Sequence, residues 1–135
     1  MRKAAAYLLL AALLLCSCRD DRFITAFTGE EGIHLSVNSK TVFKYDPNTC
    51  QMSFNRDRCE FRVHTDYMSD FYTLTLSEIP SRQGQEVKGT LVWSTETDIY
   101  TKKNVTFSAE KLEGDMLWLW TGNGRVGVVV RILDQ

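Results

Sequence analysis

Few side chains in this sequence stand at spacings that reaction chemistry needs. His64, Asp66 and Asp70 come nearest to an acid–base group, because alternation along an extended segment puts His64 and Asp66 on one face. A histidine beside carboxylates can shuttle a proton near neutral pH. The same spacing fits polar residues on a solvated edge, and that is the reading adopted. Glu60, Glu78 and Glu96 could supply the carboxylate pair of a glycosidase, yet each falls among polar surface positions with no apolar pocket beside it. His34 lies on the polar side of its own segment. Neither histidine has a metal-ligand companion at a useful spacing. There is no nucleophile elbow, phosphate loop or dinucleotide fingerprint. The expectation is a protein without catalysis, cofactor or metal.

The cysteines carry the most specific chemistry. Arg2 and Lys3 precede twelve uncharged residues, Ala4 to Leu15, in the order of a secretory signal. That run is shorter than the roughly 20 residues a membrane-spanning helix takes. Leu15-Cys16-Ser17-Cys18 follows. With Leu three positions before Cys18 and small Ser17 just before it, the segment resembles the lipobox of bacterial lipoproteins; Cys16, preceded by Leu15, does not fit. The resemblance implies that residues 1–17 are a signal peptide, that Cys18 carries a diacylglyceryl group, and that residues 18–31 form the lipidated cysteine and its tether. Each buried methylene contributes about 0.8 kcal/mol, so two or three acyl chains hold a protein to a membrane lastingly. Arg19-Asp20-Asp21-Arg22 is similar to the acidic run behind the lipidated cysteine of surface lipoproteins in Bacteroidetes. The implied location is the outer membrane, at its periplasmic face or at the cell surface.

Removal of the signal leaves about 118 residues, enough for one domain over 32–135. From Arg19 onward there are 14 basic and 17 acidic residues, a net charge of −3. A mildly acidic chain without a basic block lacks the electrostatic footprint of a nucleic-acid binder.

Cys50 and Cys59 remain as a pair in an oxidising compartment and are a candidate disulfide. The segment between them reads as a tight hairpin. A four-residue loop at Ser53 to Arg56 sets the cysteines face to face, whereas an Asn55-Arg56 turn leaves them diagonal and strained.

The elements that must position these groups are strands. Period-2 alternation places Ile33/Leu35/Val37, Phe43/Tyr45, Phe61/Val63, Tyr72/Leu74/Leu76, Leu91/Trp93 and Val105/Phe107/Ala109 on one side each. Turn chemistry separates them at Val37-Asn38-Ser39, Asp46-Pro47-Asn48, Ile79-Pro80-Ser81 with Gln83-Gly84, Lys102-Lys103-Asn104 and Glu113-Gly114-Asp115. Phe23 to Phe27 is a further candidate strand, and Ser108 to Leu112 has room for one helical turn. The fold class is all-β: a single antiparallel β-sandwich or small β-barrel of seven to nine short strands.

Asn123-Gly124 is the favoured pair for a two-residue type I′ turn. Counting outward pairs Thr121 with Val126 and Met116 with Arg131. Leu117, Leu119, Val126, Val128 and Val130 then share an aliphatic face, the expected core. Met116, Trp118, Trp120, Gly127, Val129 and Arg131 share the other, with the Trp120 indole expected over Gly127. Trp118, Trp120 and Arg131 are the candidate binding surface, since exposed Trp and Arg make interface hot spots; a covering loop or second sheet would instead make the tryptophans ordinary core. Three classes fit: a binding or assembly module for a protein or glycan partner, which includes an inhibitor of a secreted enzyme; a lipocalin-like carrier of a small hydrophobic ligand; and an enzyme of unrecognised type, which a cleft holding His64 with two carboxylates would favour. For the inhibitor, small lipid-anchored β-barrel lysozyme inhibitors are similar in size and anchoring.

Overall fold

A computed structural model describes residues 32–67, 69–122 and 125–133. Cys18, the lipobox, the tether and Phe23 to Phe27 lie outside them, as does the Asn123-Gly124 pair.

Nine antiparallel strands form one sheet: β1 (His34–Val37), β2 (Lys40–Lys44), β3 (Cys50–Asn55), β4 (Glu60–Thr65), β5 (Phe71–Leu76), β6 (Glu86–Ser94), β7 (Ile99–Glu113), β8 (Met116–Thr121) and β9 (Val126–Arg131). The spatial order is β2-β1-β9-β8-β7-β6-β5-β4-β3. Its two edges, β2 and β3, are consecutive in the chain, with only residues 45–49 between them. In a flat sheet, eight intervals of about 4.8 Å would hold those edges about 38 Å apart. The linker reaches roughly 20 Å from Lys44 to Cys50. The sheet therefore curls into a half-barrel, and the sandwich alternative falls away because the described residues form a single sheet.

The alternating apolar residues turn inward. Leu35, Phe61, Tyr72, Leu74, Leu91, Phe107, Leu117, Leu119 and Val128 are all fully buried in one continuous core. Phe43 of β2 meets Tyr72 of β5 edge to face, with ring centroids 5.2 Å apart. Gly89 permits close approach on the other side of the core: a Cβ there would lie 2.9 Å from both the Leu76 Cδ2 and the Thr75 carbonyl oxygen.

Three expectations are corrected here. Lys102-Lys103-Asn104 is not a turn; the register passes from Gly89↔Val105 to Leu91↔Lys102, making Lys103 and Asn104 a bulge within β7, with Asn104 at φ 53°. The left-handed preference of Asn is satisfied without ending the strand. Ser108 to Leu112 is strand, not a helical turn, because Ala109 and Leu112 pair with Leu119 and Leu117. His34 is completely buried instead of solvated, and its Nδ1 donates to the Gly32 carbonyl at 2.9 Å.

Candidate binding surface

The β8–β9 register runs from Met116↔Arg131 to Thr121↔Val126, as the turn chemistry requires. The inner residues Leu117, Leu119, Val126, Val128 and Val130 have no exposed surface. On the outer face Val129 is also fully buried, beneath Met116, Trp118 and Trp120. The two indoles are therefore half-buried: each seals part of a small outer cluster and presents the remainder to solvent.

Their surroundings define what they can do. Lys111 places its ammonium 4.7 Å from the centre of the Trp118 ring, a cation–π contact across a face on which a sugar would stack. Trp120 lies against Gly122, where a Cβ would meet its ring at 3.1 Å. Gly127 is its register partner across the β8–β9 pair. Arg131 is not available as a lone hot-spot charge, because its Nε donates to Asp115 Oδ2 at 2.6 Å. Both partners stay about half exposed, so the pair contributes little to stability.

The acid–base group does not assemble. His64 Nδ1 donates to the Thr65 carbonyl at 2.8 Å, and Asp66 accepts from Gln51 Nε2 at 3.3 Å. His64 and Asp66 thus spend their hydrogen bonds on other partners. Among the described residues no three His, Cys, Asp or Glu side chains gather as a metal site.

The disulfide expectation is overturned by register. Asn55 pairs with Glu60 and Cys50 with Thr65, so the loop is Arg56 to Cys59. Cys50 begins β3, about 17 Å of strand from its end at Asn55, while Cys59 sits in the turn at φ 49°; both thiols are free. The physical reason is aromatic. This register pairs Phe54 with Phe61, stacked at 4.6 Å, and Met52 with Val63, whereas facing cysteines would strand Phe54 in the loop. Beside that turn lies a cleft of about 540 Å³ lined by Arg56, Arg58, Arg62, Asp57, Glu60 and Leu133, among others. Its charges are partly met within the hairpin, by Arg62–Glu60 at 2.8 Å and by Arg56 over the Phe54 ring.

Sequence reasoning missed the exposed apolar group at the start of β7. Ile99 is 69% and Tyr100 44% exposed, and the Tyr100 ring stacks on the buried Trp93 at 5.3 Å. The signal was hidden by reading Lys102 to Asn104 as a turn, which detached these residues from the strand that carries them. No protein family, curated protein or solved structure matches the chain.

Proposed function

We propose that this chain is a lipid-anchored protein of the outer envelope that binds a protein partner and performs no catalysis. Cys18 is the attachment point, on the strength of the lipobox resemblance. The observation that carries the binding role is the outer cluster: Trp118 and Trp120, partly exposed over a sealed Val129, offer rigid aromatic surface of the kind that anchors interfaces. The Lys111 ammonium over Trp118 favours a protein over a glycan, since it occupies a stacking face. Against carriage of a hydrophobic ligand stands the interior itself, filled by Tyr72, Phe61 and Phe107 and crossed by a hydrogen bond.

The test is a photo-crosslinking amino acid at position 118 of the full chain in producing cells, with Ser53 as the control site. A discrete adduct from position 118 alone supports the reading; adducts from neither position defeat it. Globomycin in the same cells should accumulate an uncleaved, lipid-modified precursor. Normal maturation would remove the anchor.

A further inference from the structure

The sheet has an edge that its strand order conceals. β7 pairs with β6 from Ile99↔Ser94 to Ser108↔Glu86, but with β8 only from Ser108↔Trp120 to Glu113↔Met116. Residues 99–107 therefore have one neighbouring strand and, among the described residues, none on the other side. This is a stretch of about 30 Å. The bulge at Lys103 and Asn104 interrupts it, a common way to blunt an edge. Residues 99–102 lie beyond that bulge as a regular four-residue edge, and two of them are the exposed Ile99 and Tyr100.

We infer that the amino-terminal part of β7 accepts, by strand addition, an extended acidic segment of a protein partner. This deepens the binding role proposed above and rests on it. Charge selects the occupant: residues 99–106 contain Lys102 and Lys103 and no acid, on a chain of net charge −1. The acids Glu96 and Asp98 sit beyond, in the β6–β7 turn. Register selects the pattern. Tyr100 and Lys102 oppose Trp93 and Leu91 and share the inner face, while Ile99 and Thr101 share the outer one. An antiparallel strand would set carboxylates opposite Lys103 and Lys102, and apolar side chains opposite Tyr100 and Ile99. Main-chain hydrogen bonds supply affinity in such additions, and the alternate side chains supply selectivity. A second copy of this edge fits less well, because it would bring Lys102 and Lys103 against the same lysines with no acid between residues 99 and 106 to meet them.

The probe is the capped peptide Thr-Glu-Glu-Thr-Val-Val-Thr, titrated into the full chain in detergent, with amide exchange and chemical shifts as readouts. Slowed exchange confined to residues 99–102 is expected. Binding should weaken at least tenfold when the peptide glutamates become lysines, and be lost on N-methylation of alternate peptide amides. Lys102→Glu with Lys103→Glu should reverse the preference towards the lysine peptide. Unperturbed β7 amides at millimolar peptide, or affinity indifferent to charge, overturn the inference, as does sedimentation showing that the edge pairs with another copy. In cells, an adduct from position 118 without one from Thr101 overturns this site and leaves the binding role standing. No adduct from either overturns both.

Discussion

The Tyr72 hydroxyl donates a 3.0 Å hydrogen bond to the main-chain carbonyl of Val129, 57 residues further along the chain. The bond links β5 to β9 through the half-barrel, where both residues are fully buried. Removing the donor deletes one buried hydrogen bond to that carbonyl, so Tyr72→Phe should destabilise by about 0.5–1.5 kcal/mol at neutral pH. The pH dependence follows from the phenol. Burial, with a smaller contribution from Cys50, pushes its pKa well above the ordinary value of 10.0. Its folded pKa is raised, so its contribution is complete below about pH 10 and is lost as pH rises towards the folded value. Urea midpoints should fall more steeply for the wild type than for Tyr72→Phe between pH 9 and 11. Parallel declines would reject the assignment.

Gly89 tests the curvature of the sheet. An added Cβ meets a backbone oxygen, the Thr75 carbonyl, as well as Leu76 and Phe107, and backbone cannot give way as a flexible side chain can. Gly89→Ala should therefore cost about 1–3 kcal/mol by overpacking. Gly114→Ala meets nothing within 4 Å and suffers only from its φ of 61°, about 1 kcal/mol. Thermal midpoints should rank Gly89→Ala below Gly114→Ala, and equal midpoints would contradict the close packing.

The inner face was legible because alternation is a local signal: Leu35, Phe61, Tyr72, Leu91 and Phe107 all point inward as their spacing requires. The β8–β9 register was legible for a similar reason, since a two-residue turn fixes every pair after it. The β3–β4 register was not. There the cysteines suggested one pairing, and the decisive contact, Phe54 on Phe61, competes only once both strands are paired. Nor could spacing show that the pairing of β7 with β8 ends at Ser108↔Trp120 and leaves half of β7 without a second neighbour among the described residues, because that depends on strand lengths elsewhere in the sheet. The burial of His34 likewise arises from strand order, which sets β1 between β2 and β9.

The corrected hairpin makes the two thiols chemically unequal. Cys50 is buried among core side chains, while Cys59 is half-buried in the turn with its Sγ 3.7 Å from the Arg56 carbonyl. Iodoacetamide should modify Cys59 in the folded protein and reach Cys50 only on unfolding. Reductant should leave the thermal midpoint unchanged. Two thiols resistant to alkylation until reduced would restore the bridge and require a different register.

Tryptophan emission separates the outer cluster from the core. Trp93 is 5% exposed and carries the Tyr100 ring on it, whereas Trp118 and Trp120 are half-buried on the outer face. Iodide, which does not enter a packed interior, should quench part of the fluorescence and leave a protected fraction. Trp93→Phe should abolish that fraction if the variant remains folded, because the remaining indoles both reach solvent. Trp118→Phe with Trp120→Phe should do the opposite and leave emission that iodide barely touches. If the double variant keeps its quenchable component, the accessible indole is Trp93, and the outer cluster loses its claim as an interface.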